Sequence, residues 1–157
     1  MITEKLRVVQ LIVFIILASQ GMFYFLAGAE ALRNVSVPTF AEQRKAVDLV
    51  IGTRLQILYY AAIIIGFAIM VLSAKSADWR LFIITTIATV LIVTDVVLAV
   101  KFNIPINKAF LNYPDEGGAD WRLLQISWLK MIVIRGVFTC TALFVLLFSW
   151  FKSAINT

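Results

Sequence analysis

Hydrophobic positions in this chain do not alternate with polar ones. They fall into four runs, Val8–Ala29, Leu55–Ala74, Leu81–Val100 and Met131–Phe151. A helix needs about 20 residues to cross about 30 Å of hydrocarbon. Each run supplies that length, with one full charge inside the third (Asp95) and one inside the fourth (Arg135). The pattern predicts an all-α integral membrane protein: a single four-span domain over residues 1–157, with spans near 6–32, 50–73, 80–102 and 128–151, folded as an antiparallel up-down four-helix bundle. Lys5 and Arg7 precede the first run as in a signal peptide, but signal cores hold about 7–15 apolar residues, so this longer run reads as a retained span.

Polar residues set the expected ends. The first helix covers Lys5–Arg33, with Gly21, Ala27, Gly28, Ala29 and Ala31 keeping one side thin for a neighbour. After a loop at Asn34–Pro38, Thr39 with Glu42 forms a capping-box pattern, so the second helix starts near Phe40, well ahead of its apolar run. Within it Arg44 and Asp48 stand one turn apart and can pair. Ala74–Asp78 is a turn, and Asp78 can cap the third helix. Asn103-Ile104-Pro105 is expected to stop that helix at about Phe102, because the residue before proline is pushed out of the α region. Asn103 then suits a helix C-terminus and Asn107 the cap of a short helix to Asn112. Leu111–Ala119 reads as loop, and Asp120 as the cap of a fourth helix from Trp121 to about Lys152. Helices two and four thus extend beyond the bilayer at one end, here called the loop side.

Composition agrees: 62% of residues are hydrophobic and 15% charged, against roughly 25% charged in soluble domains. The net charge of +5 fits juxtamembrane cations facing headgroups, and nothing reads as a nucleic-acid site. The chain has no histidine, which excludes His-ligated metals and any triad with a histidine base, and no metal or other cofactor is expected. The one cysteine, Cys140, reads as a small packing residue. Five cations fall on the terminal side and nine on the loop side, which also holds seven of the nine acids. Cations in loops near span ends almost balance, tilting toward cytoplasmic termini.

Charges in or at the edges of the spans, Glu30, Arg54, Asp95, Lys101, Lys130 and Arg135, all lie toward the loop side. A charge at membrane depth costs several kcal/mol unless it pairs or meets water, so the economical arrangement is one shared polar pocket, with Asp95 paired to Arg54 or Arg135. Two readings follow: a salt bridge fixing helix register, or a functional site whose excess positive charge suits an anionic or polarised ligand. Trp121, Trp128 and Arg135 recur every seven residues on one helix face, with Gln125 beside it. They are either interfacial anchors or a wall for a flat aromatic ligand. Ser19, Phe23, Leu26 and Glu30 offer an opposite wall on the first helix, with Asn103 and Asn107 at the mouth.

In this combination, Asn103, Pro105 and Asn107 followed by Asp120-Trp121, Trp128 and Arg135, the chain resembles the anthrone oxygenase-like family of small four-span membrane proteins. The resemblance implies a four-helix bundle in a bacterial plasma membrane and, for some members, oxidation of anthrone-type phenols to quinones without metal or flavin. On that reading Asp95 or Glu30 is the base, and Arg135, Arg54, Lys130, Asn103 and Asn107 hold the substrate anion, with Trp121 and Trp128 beside it. The expected partners are the bilayer and a small hydrophobic, quinone-like ligand. The alternative is a non-catalytic subunit of a membrane complex or homo-oligomer.

Overall fold

The computed structural model describes residues 2–114 and 120–155. They form four long helices, each long and apolar enough to span a membrane. We label them α1 (Ile2–Asn34), α2 (Val37–Lys75), α3 (Trp79–Leu111) and α4 (Trp121–Ile155). Each packs against its sequence neighbours, and α1 closes the ring against α4. Only 28–39% of each apolar window is buried inside the bundle. The remainder exposes large side chains such as Ile64, Phe67 and Phe148, a surface that only lipid tails solvate without cost. The chain is an integral membrane four-helix bundle.

Mid-membrane, the helices meet through Phe14 and Leu17 of α1, Ala62 of α2, Ala88 and Ile92 of α3, and Ala142 and Leu146 of α4. Close approach depends on absent side chains. A Cβ on Gly21 would lie 2.6 Å from the Gly136 Cα and 2.9 Å from the Thr139 Oγ1, so this α1–α4 crossing tolerates only glycine. Cys140 packs as expected, its thiol 3.7 Å from the Ala18 carbonyl.

Several caps stand where the sequence puts them. Asp78 accepts from the Leu81 N–H at 3.0 Å and Asp120 from the Leu123 N–H at 2.9 Å. The start of α2 differs. Ser36, not Thr39, is the N-cap; it is extended (φ −63°, ψ 155°) and accepts from the Thr39 N–H, with Pro38 in the first turn, where a missing donor costs nothing. The Leu111–Ala119 loop is described only to Pro114; 115–119 lie outside the described residues.

The larger correction is in α3, which does not stop at Phe102. It continues to Leu111 through a widened turn over Ala99–Asn103, closed by the Ile104 N–H bonding the Ala99 carbonyl five residues back. Proline at 105 has no N–H, and its ring would clash with the carbonyl four residues earlier. Widening the turn just upstream removes the clash without ending the helix. Asn103 is therefore not a helix terminus and Asn107 not a cap. A second widened turn lies in α1 at Tyr24–Gly28, where the Ala29 N–H bonds the Tyr24 carbonyl. So α3, like α2 and α4, runs past its apolar stretch. The three extensions and the end of α1 enclose an aromatic cap of Tyr24, Phe40, Phe110 and Trp128.

Candidate functional site

Beneath that cap, Asp95 is fully buried and Arg135 is 9% exposed. By helical rise Asp95 sits about 7 Å inside the end of its apolar run. Arg135 Nε donates to Asp95 Oδ1 at 2.6 Å, and its Nη2 lies 3.5 Å from Oδ2. Two further groups complete the cluster. The Tyr59 hydroxyl of α2 donates to Asp95 Oδ2 and lies 3.4 Å from Arg135 Nη2. Asn103, 2% exposed, accepts from Arg135 Nη1 at 3.3 Å and donates to the Trp128 carbonyl at 3.3 Å. The widened turn positions Asn103: it carries the helix on past Ala99 while keeping this amide turned inward, toward α4. Three helices thus converge on one carboxylate and one guanidinium, and each charge is met by a partner on another helix, as a low-dielectric setting demands.

Of the two partners open for Asp95, the structure selects Arg135. Arg54 is exposed, as are Glu30 and Lys130, and none of the three joins the cluster. Glu30 instead faces Arg33 at 3.8 Å. The reason is shared: these chains stand on outward faces at the ends of apolar runs, where a flexible stem lets the charge reach headgroup level. The wall proposed on α1 also points outward, with Phe23 59% and Leu26 73% exposed. The inward face of α1 is Phe14, Leu17, Ala18, Gly21, Tyr24 and Gly28.

The tryptophan face does turn inward. Trp128 is 3% exposed; its Nε1 donates to Asn107 Oδ1 at 2.6 Å, and it makes edge contacts with Tyr24 and Phe40. Trp121 is half-buried against Phe110 and Tyr113. The expected cavity is not there: the space bounded by Gln20, Tyr59, Asp95, Arg135 and Thr139 has a volume of about 10 Å³, enough for one water and not for a ring. Indoles expected to border a ligand pack against the protein's own aromatic rings.

Three elements were not legible beforehand. Tyr59 carried no signal beyond being a tyrosine four residues into an apolar run. Arg44 does pair with Asp48 as expected, but it is also buried, with its guanidinium carbon 4.4 Å from the centre of the Trp128 ring. Arg122 and Gln125 of α4 cap the end of α1 from outside. Arg122 Nη2 donates to the Arg33 carbonyl at 2.8 Å, and Gln125 Nε2 to the Leu32 carbonyl at 2.7 Å, satisfying carbonyls that a helix end leaves without partners. Among the described residues no group of three or more His, Cys, Asp or Glu could hold a metal ion. Comparison with family models, curated proteins and solved structures finds no match.

Proposed function

We propose that the Tyr59–Asp95–Arg135 cluster is the working site of this membrane protein, and that it takes the hydroxyl or carbonyl group of a small, flat, hydrophobic molecule, a phenol or a quinone, arriving through the bilayer. What supports the reading is that Asp95 and Arg135 already hold a phenol. The Tyr59 hydroxyl donates to the carboxylate and lies within hydrogen-bond reach of the guanidinium. A ligand phenol displacing Tyr59 would find the same two partners, and Asn103 braces the guanidinium that meets it. With such a ligand Asp95 accepts the phenolic proton and Arg135 holds the phenolate. In the oxygenase chemistry implied by the resemblance, dioxygen oxidises the ring methylene of an anthrone-type substrate to a carbonyl. One oxygen atom enters the ring carbon, and the other leaves as water with the two methylene hydrogens. Glu30, Arg54 and Lys130 have no part in this reading; Trp121, Trp128 and Asn107 act only by fixing the cap above the site.

The experiment uses the protein in lipid nanodiscs. Anaerobic melting with a panel of hydrophobic phenols and quinones should show a ligand-dependent rise in melting temperature. The rise should vanish in the doubly neutralised Asp95→Asn/Arg135→Gln variant, which leaves no charge unpaired. With anthrone under air, quinone formation and oxygen uptake should proceed one to one. A melting response without quinone keeps the binding site and removes the oxygenase; no response to any ligand removes both. The cavity of about 10 Å³ favours the second reading in that event: the ion pair is an interhelical lock in a non-catalytic subunit of a membrane assembly or homo-oligomer.

A further inference from the structure

A groove of about 390 Å³ runs along the lipid-facing side of the bundle between α2 and α3, away from the charged cluster. Phe67 and Met70 form one wall; Thr86, Val90, Val93 and Val97 form the other. The wall is apolar in effect, because the Thr86 and Thr94 hydroxyls donate to their own helix at Phe82 and Val90. From Thr86 to Val97 the helical rise is about 16 Å, close to the ~15 Å depth of one leaflet's hydrocarbon. The groove face of α3 does not end in another apolar residue. Val90, Val93, Val97 and Lys101 follow one another at three- and four-residue steps, which keeps them on one side of the helix. Lys101 lies just past the apolar run and is exposed. Among the described residues it makes no ion pair with an acid. An apolar channel one leaflet long, closed at the headgroup level by an unpaired cation, has the shape and charge of a single lipid.

We infer that this groove is a specific phospholipid site, holding one acyl chain between α2 and α3 with the lipid's anionic headgroup on Lys101. The surrounding surface meets lipid through exposed ridges and has no reason to prefer one headgroup; this groove does. The partner is a phospholipid carrying net negative charge, such as phosphatidylglycerol, rather than a zwitterionic one.

The test is native mass spectrometry of the intact protein released from vesicles of equal phosphatidylglycerol and phosphatidylcholine. Wild-type protein should retain one lipid, enriched in phosphatidylglycerol. Lys101→Gln should lower that enrichment about fivefold, the factor expected for one interfacial cation, while lipid is still retained. Val93→Phe fills the groove from a position 38% exposed to lipid, where folding should tolerate it, and should remove the retained lipid of either type. Unchanged enrichment in Lys101→Gln, or undiminished lipid in Val93→Phe, overturns the proposal. So does a lipid-free wild-type dimer that Val93→Phe dissociates, since a second copy then covers the groove.

Discussion

The middle of the bundle and its loop-side end solve the same packing problem by different means. In the middle the helices are regular and meet through alanine, glycine and aliphatic side chains: Ala62, Gly66, Ala88, Ile92 and Ala142. At the loop side both widened turns occur, over Tyr24–Gly28 and Ala99–Asn103. There Asp95 pairs with Arg135 and Arg44 with Asp48, and aromatic rings stack edge to face around Trp128. The difference follows from the solvent. Lipid tails are as apolar as leucine, so the mid-membrane core gains only close packing. An ion pair in the same setting has no aqueous alternative and holds its helices in one register. Widened turns also gather at functional sites more often than elsewhere in helices, and here one of them turns Asn103 toward Arg135.

If that contrast is right, the largest stability loss should come from the loop-side charges. Asp95→Asn leaves Arg135 uncompensated and should cost about 3–5 kcal/mol in unfolding from mixed micelles. Asp95→Leu with Arg135→Met should cost much less, because no buried charge remains. Equal losses would mean that the pair's neighbours, not its charges, hold the register. Phe14→Ala at the fully buried middle comes next. It should cost less than the roughly 3–5 kcal/mol of the same truncation in a soluble core, since the unfolded side chain stays in lipid and only packing is lost. A soluble-sized loss would show the middle to be more than a packing contact.

Gly66→Ala tests the close approach directly. Its new methyl would collide with the Thr89 side chain and should cost about 1–3 kcal/mol. Much of that should be regained by Thr89→Ala in the same chain, measured as a double-mutant cycle. The smallest effect belongs to Asn103→Ala, which removes one hydrogen bond to Arg135 and one to the Trp128 carbonyl. Polar contacts between membrane helices average about 0.6 kcal/mol and reach about 1.7, and the loss should fall in that range. If Asn103→Ala matched Asp95→Asn, the amide would rank with the charges as a fixing element.

The sequence by itself determined the span number, the helical class, the caps at Asp78 and Asp120, and the convergence of polar residues at one end of the bundle. These are properties of one helix at a time: run length against bilayer thickness, and side chains that bond their own backbone within a turn. It also narrowed the partners of Asp95 to two, because a carboxylate at that depth has few ways to be stable. Only the tertiary structure decided between Arg54 and Arg135, since the choice depends on which face of each helix turns inward. One widened turn on α3 changes that phase without changing the composition. The same holds for the proline at 105, which stops a helix on local rules and is accommodated by the turn before it. It holds as well for Tyr59, whose hydroxyl acquires meaning only when two other helices bring a carboxylate and a guanidinium to it. The space beside Arg135 was likewise beyond the sequence, because a cavity is what remains after all the side chains have packed.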